Sequence, residues 1–191
     1  FFEGRDITEV PPHQIAKLGI ARTFQNIELF ENASMLANLL VGRHCHATTA
    51  LWQDMLFMPS VRRAEKEHRH KVEEVIEFLD LQAYRDKIIA GLPYGVRKVI
   101  EVARALCSEP KLILLDEPTE GLAPVIVQQI GRTIQQLKAQ GYTIVLVEQN
   151  FRFAQTLADR HFVIEQGRVV DMIPNAELDA NIDKLHAYLG V

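Results

Sequence analysis

Leu112-Ile113-Leu114-Leu115-Asp116-Glu117-Pro118 is the stretch that decides the fold. Four consecutive apolar residues are too few for a membrane span, they run into two adjacent acids, and a proline stops them. Such a run reads as a buried strand of a parallel sheet, and the carboxyl ends of such strands are where α/β proteins place ligand chemistry. Two acids at that edge suit a magnesium ion and a water nucleophile, although a strand closed by Asp-Glu is also an ordinary solvated strand end in many folds.

Upstream, Leu92-Pro93-Tyr94-Gly95 is a Gly-containing loop, and Val96 to Cys107 follows with apolar residues at Val96, Val99, Ile100, Ala103 and Leu106. That spacing lays one apolar stripe along a helix about 18 Å long. The loop therefore opens a helix, whose N-terminal amides and dipole favour anions such as phosphate; helix starts also need such loops for structural reasons alone. Further upstream, Ile20-Ala21-Arg22-Thr23-Phe24-Gln25 is a short β-prone run ending in an amide side chain.

The remaining pattern alternates helices and apolar strands. Pro12 to Leu18 and Met35 to Val41 read as short helices, and Ser60 to about Asp80 as a long one. The first half of that long helix is a solvated face of mixed charge, and its second half carries Val72, Val75, Ile76 and Leu79 at core spacing. Downstream, Ala123 to Gln140 reads as a helix ended by Gly141, Tyr142 to Val147 as a second buried strand, and Phe151 to Ala158 as a short helix. Arg160 to Glu165 and Arg168 to Met172 form a hairpin around Gln166-Gly167. The alternation predicts a mainly parallel sheet covered on both faces.

Composition narrows the class. With 191 residues, 48% of them hydrophobic and 24% charged, there is apolar material for one α/β domain and a satellite. A formal charge of -4 argues against a dedicated nucleic-acid binder. No segment approaches the ~20 apolar residues of a transmembrane helix, so membrane association is expected through a partner. The two cysteines, Cys45 and Cys107, make no disulfide framework and suit a reducing compartment, with Cys107 read as core. His44-Cys45-His46, with His68 and His70, matches no zinc-finger spacing and is not read as a metal site.

Taken together, in order and spacing, these elements resemble the ATP-binding subunits of ABC transporters along essentially the whole chain. Gln25 resembles the Q-loop glutamine, Leu92 to Val96 the signature loop, Leu112 to Glu117 the Walker B strand, and Glu120-Gly121-Leu122-Ala123 the D-loop. Ala21 to Asn26, Leu92 to Gly95, Val147 to Asn150 and Ala187 to Gly190 resemble the subgroup that powers branched-chain amino acid uptake, whose motifs are shared by importers of urea or short amides. Those importers pair two different ATPase subunits. Leu92-Pro93-Tyr94-Gly95 resembles one, while Gly121-Leu122-Ala123-Pro124 and Val147-Glu148-Gln149-Asn150 resemble the other.

The resemblance implies a P-loop NTPase fold of the RecA-like ABC type with an inserted helical subdomain. It implies four parts: 1–25 as partial ATP-binding core, 26–91 as helical subdomain, 92–172 as the signature, Walker B, D-loop and switch part, and 173–191 as a helical tail. It also implies ATP and Mg2+ as ligands. Asp116 and Gln25 serve the metal, and Glu117, Gln25 and Gln149 act in hydrolysis. Leu92, Pro93, Tyr94, Gly95 and Val96 face nucleotide across a dimer interface lined by Glu120, Gly121, Leu122 and Ala123. The implied partners are a second ABC ATPase subunit and integral membrane permease subunits, at the cytoplasmic face of the inner membrane, with no nucleic acid expected.

Three positions depart from the common motif. Pro93 stands where serine is usual, Val96 where Gln or Glu is usual, and Gln149 where a switch histidine is common. Pro93 and Gln149 occur in the branched-chain subgroup and are read as variants of a working enzyme. A P-loop also needs a Gly-rich turn ending in Gly-Lys-Ser/Thr, yet none of the ten glycines is followed by lysine. The chain begins at Phe1 with a segment that in the family follows that loop. The expectation is that the Walker A segment lies outside these residues and that they alone are inactive. The alternatives are a P-loop-free cassette supplying signature surfaces to a partner, or a soluble ABC protein of translation or DNA repair.

Overall fold

In the computed structural model, which describes residues 1–46 and 59–189, the decisive stretch forms β2 (Leu112–Asp116), the centre of a three-stranded sheet. It pairs in parallel with β1 (Ile20–Arg22) and β3 (Thr143–Val147), in the registers Ile20↔Leu112 and Leu112↔Thr143. Both neighbours of β2 are therefore parallel strands reached by crossovers, as the alternating pattern requires. Along β2 the side chains alternate: Ile113 and Leu115 are fully buried, Leu112 and Leu114 only half so.

β3 departs from the expected buried strand. Ile144 and Leu146 are half-buried while Thr143, Val145 and Val147 are exposed. The physical reason is the two-residue period of a strand, which sends alternate side chains to opposite faces of which only one is covered.

The helix α4 (Tyr94–Leu106) buries Val99, Ile100, Val102, Ala103 and Leu106, the stripe expected from its spacing. It starts two residues earlier than the apolar pattern indicates, because Pro93 is an extended N-cap with φ -55° and ψ 146°, and its carbonyl already accepts the helical bond from Arg97 N at 3.1 Å. Tyr94 and Gly95 consequently belong to the first turn and not to the preceding loop. Cys107 is buried at the end of this helix, and burial pushes its thiol up to about 12.

The helices α1 (Pro12–Ile15), α2 (Met35–Gly42) and α3 (Pro59–Phe78) precede α4, and α2 packs against both α3 and α4. Met35 and Leu39 of α2 and Val72 and Ile76 of α3 are fully buried, whereas Val75 is only half-buried. Gly42 lets α2 approach α4 closely, since a Cβ there would strike the Arg104 carbonyl. The helix α5 (Pro124–Ala139) buries Ile130, Ile134 and Leu137, and Gly141, at φ 88°, turns the chain back into β3.

The chain divides into two compact units, Phe1–Glu148 and Gln149–Val191. The second contains α6 (Phe151–Gln155), the antiparallel hairpin β4 (Arg160–Glu165) and β5 (Arg168–Pro174), and α7 (Ile182–Leu189). Its core is Ile173, Leu178 and Leu185, with Phe151 and Val163 packed against it. Gln166 and Gly167 both take positive φ (49° and 78°), the backbone that tight two-residue hairpin turns demand.

Candidate functional site

The carboxyl ends of β1 and β2 bring the predicted acids and amide together. Glu117 follows β2, and its N–H donates to the Val147 carbonyl at 2.9 Å, carrying the ladder one residue past the strand. Its φ of 44° is left-handed, a conformation that costs a non-glycine residue about 1 kcal/mol or more and persists where the surroundings fix it. Glu120 N closes the following turn onto the Glu117 carbonyl at 3.2 Å. Two acids three residues apart are thus folded to one side, and the Gln25 amide Nε2 donates to both, at 3.3 Å to Glu117 and 3.1 Å to Glu120.

Asp116 ends β2. Its carboxylate accepts from Arg22 Nη2 at 2.7 Å, and its N–H meets the Thr23 hydroxyl at 3.4 Å. Arg22 also lies over the Phe24 ring, 5.2 Å from the centroid. Asp116 and Arg22 are side by side because β1 and β2 are adjacent parallel strands whose last residues share one edge.

The other predicted positions are placed by neighbouring elements. Leu92 and Pro93 lead into α4, and Tyr94, Gly95 and Val96 form its first turn, where the amides have no intrahelical partner. A Cβ on Gly95 would come within 2.9 Å of Ile126, so glycine permits the close approach of α4 to α5. Gly121 takes φ 69°, Leu122 N donates to the Thr119 carbonyl at 3.3 Å, and Ala123 is the extended N-cap of α5 ahead of Pro124. Gln149 opens the second unit, where its carbonyl accepts from Phe151 N at 2.9 Å ahead of α6.

Sequence reasoning passed over three residues that the fold puts here. Arg22 and Glu148 stood only inside longer quoted motifs, with no role of their own. Glu148 accepts from both the Thr119 N–H (3.1 Å) and its hydroxyl (2.7 Å), tying the turn after β2 to the end of β3. Lys98 reaches from α4 to the carbonyls of Phe24 and Gln25. The available signal in each case was a charged side chain, which carries no partner information by itself.

The predicted non-ligand histidines have other engagements. His46 Nε2 is 2.9 Å from the Ser108 carbonyl, His68 Nδ1 accepts from Arg43 Nε at 3.3 Å, and His70 Nε2 is 3.3 Å from Glu74. Among the described residues no three His, Cys, Asp or Glu side chains form a cage for a metal ion. A magnesium ion that keeps most of its water and takes phosphate oxygens needs only one or two carboxylates. The carboxylate of Asp116 and the side-chain oxygen of Gln25, at the ends of adjacent strands, fit that requirement.

Comparison with known proteins bears on the family and the fold. A family model described as ABC transporter matches residues 1–120. The high-affinity branched-chain amino acid transport ATP-binding protein LivG of Salmonella typhimurium is 32% identical over 187 residues, spanning 97% of this chain and 73% of that protein. BraG of Pseudomonas aeruginosa, of the same description, is 34% identical over 190 residues, 99% of this chain and 74% of that protein. Among solved structures, the ADP conformation of MJ1267, an ATP-binding cassette of an ABC transporter, superposes with a TM-score of 0.80 at 28% identity, covering 100% of this chain and 76% of that one.

Proposed function

Because the chain belongs to the ABC transporter family, whose cassettes hydrolyse ATP, we propose that it is the ATPase subunit of an importer for branched-chain amino acids, working as one half of a head-to-tail ATPase dimer. The observation that carries this reading is the convergence of Gln25, Glu117 and Glu120 through two hydrogen bonds beside Asp116. The relatives of known solute support the choice of cargo, and they include proteins of both the LivG and the BraG description.

In the proposed mechanism Glu117 orients the attacking water and takes its proton. Its left-handed backbone and its ladder bond to Val147 fix the carboxylate at the strand edge, so positioning precedes chemistry. Gln25, whose Nε2 bonds to Glu117 and Glu120 hold it at the strand edge, is placed to turn its amide N–H to the γ-phosphate when nucleotide arrives. Asp116, paired with Arg22 here, would hold the metal through its water shell, and Gln25 would offer its side-chain carbonyl oxygen to it. Magnesium, when bound, neutralises charge on the β- and γ-phosphates.

Leu92 to Val96 present first-turn amides of α4 to a phosphate held across the dimer interface, and Glu120 to Ala123 line that interface. The second ATPase subunit completes the site, and permease subunits in the cell membrane receive the movement at its cytoplasmic face. Among the described residues no helix is long and apolar enough to cross a membrane itself. The test is uptake into membrane vesicles carrying the assembled transporter. ATP-dependent accumulation of labelled leucine is expected; accumulation of urea with none of leucine would reassign the solute, and no ATP-driven uptake of either would remove the importer reading.

Gln149 acts in this scheme as a neutral hydrogen-bonding switch, able to donate and accept but not to carry a proton charge. Gln149→Ala is expected to lower turnover more than ATP binding. Gln149→His should keep turnover near neutral pH and add a pH dependence as the medium is acidified through about 6.5. Parental turnover in the alanine variant, with the membrane subunits present, would make Gln149 a structural residue only.

A further inference from the structure

Lys98 and Glu101 sit one turn apart on α4, and each is only 2% exposed. Charged side chains are almost never buried so fully unless something pairs with them. Here the covering material is backbone. Lys98 Nζ donates to the carbonyls of Phe24, at 3.3 Å, and of Gln25, and Glu101 Oε1 accepts from Glu28 N at 3.3 Å. The next turn of α4 continues the pattern, with Arg104 donating to the Glu28 carbonyl.

The segment held in this way has no regular structure between β1 and α2, so these side chains supply hydrogen bonds that a strand or helix would otherwise supply. Its far end is pinned as well, by Ala90 N to the Glu31 carbonyl (3.0 Å) and Ile89 N to the Ala33 carbonyl (3.1 Å). Burial pushes the Glu101 carboxyl above its ordinary range, while the bond from Glu28 and the Lys98 charge draw it back. A polar helix face that served only solubility would leave both charges in water.

We propose that Lys98 and Glu101 are positioning residues for Gln25: by fixing the backbone on both sides of it, they hold its side-chain amide against Glu117 and Glu120 and carry it with the signature helix. The proposal rests on the role given to Gln25 above. Its first test needs no nucleotide and uses the 191 residues of the sequence. Lys98→Met, by loosening the segment, should speed backbone hydrogen exchange at Glu28, whose N–H is held by Glu101, by about tenfold or more, and Lys98→Arg, which keeps a donor, should restore slow exchange. Glu101→Gln keeps volume and an acceptor, so it should retain the fold and show a smaller rise centred on Glu28, with circular dichroism checking each variant.

The second test is a cycle in the assembled transporter. Lys98→Met should lower kcat by about tenfold with the KM for ATP within about twofold, and should cost nothing further in a Gln25→Ala background. Additive losses in that double variant, or parental exchange at Glu28 in folded Lys98→Met, would overturn the proposal. If Gln25→Ala turns over ATP at the parental rate, the catalytic role of Gln25 is what fails, and the exchange result identifies that failure separately.

Discussion

Replacing Glu117 by glutamine in the assembled transporter is expected to lower ATP turnover by about 100-fold or more while nucleotide binding survives. The substitution keeps the side chain's size and one acceptor oxygen, so the bond from Gln25 Nε2 and the left-handed backbone that the Val147 carbonyl helps to fix remain. What disappears is the ability to accept a proton, and loss of general-base catalysis is worth about 10²–10⁴ in rate. Turnover is read by phosphate release and binding by titration with Mg-ATP. A near-parental rate would show that Glu117 is not the base. Turnover and binding lost together would instead mean that Glu117 holds the turn after β2 in shape.

That expectation grows from a stretch whose meaning was largely local. Leu112 to Pro118 announced its strand because four apolar residues suffice to fill a buried strand, and the acids announced the edge because charge is excluded from a sheet's interior. The hairpin turn at Gln166-Gly167 and the stop at Gly141 were legible for the same reason, since positive φ selects glycine and few other residues. The Q-loop amide and the two acids were singled out by resemblance, and the fold then placed them within hydrogen-bond reach of one another.

The rest lay in relations between distant residues. Arg22 and Asp116 are 94 positions apart, and only strand adjacency makes them partners. Lys98 and Glu101 look in sequence like the wet side of an amphipathic helix, because helical periodicity separates apolar from polar positions but cannot show that backbone from Phe24 to Glu28 will cover the polar side. The start of α4 was missed by two residues because Pro93 caps it through its fixed extended backbone, without a side-chain cap that a sequence would display. The open face of β3 was hidden for a similar reason: an apolar run of four, Ile144 to Val147, cannot distinguish one covered face from two.

Arg43→Ala is expected to destabilise the first unit by about 3 kcal/mol, a loss of roughly 6–12 °C in Tm for a protein of this size. Arg43 is 5% exposed, and it donates to the Cys107 carbonyl at 2.9 Å, to Glu109 at 2.7 Å and to His68 Nδ1 at 3.3 Å, joining the end of α2 to α3 and to the turn after α4. Removing it strands a buried carbonyl, but Glu109 is 46% exposed and regains water, which keeps the cost below that of a wholly buried pair. The pH dependence has a definite sign. The Arg43 hydrogen bond holds the Glu109 carboxyl below its ordinary value, so its contribution is present above about pH 4.3 and is lost as the pH falls through the lowered value. His68 is also held below its ordinary value, by burial first and then by the Arg43 charge, so it too stabilises the fold above about pH 6.5 and less as acid protonates it. The gap in Tm between parent and Arg43→Ala should therefore be full near pH 7, shrink in a first step below about pH 6.5 as His68 is protonated, and shrink in a second step only below about pH 4.3 as Glu109 is protonated. Thermal unfolding of both proteins across that range is the measurement, and a gap that stays constant would mean that Arg43 stabilises the fold through the Cys107 carbonyl and packing alone.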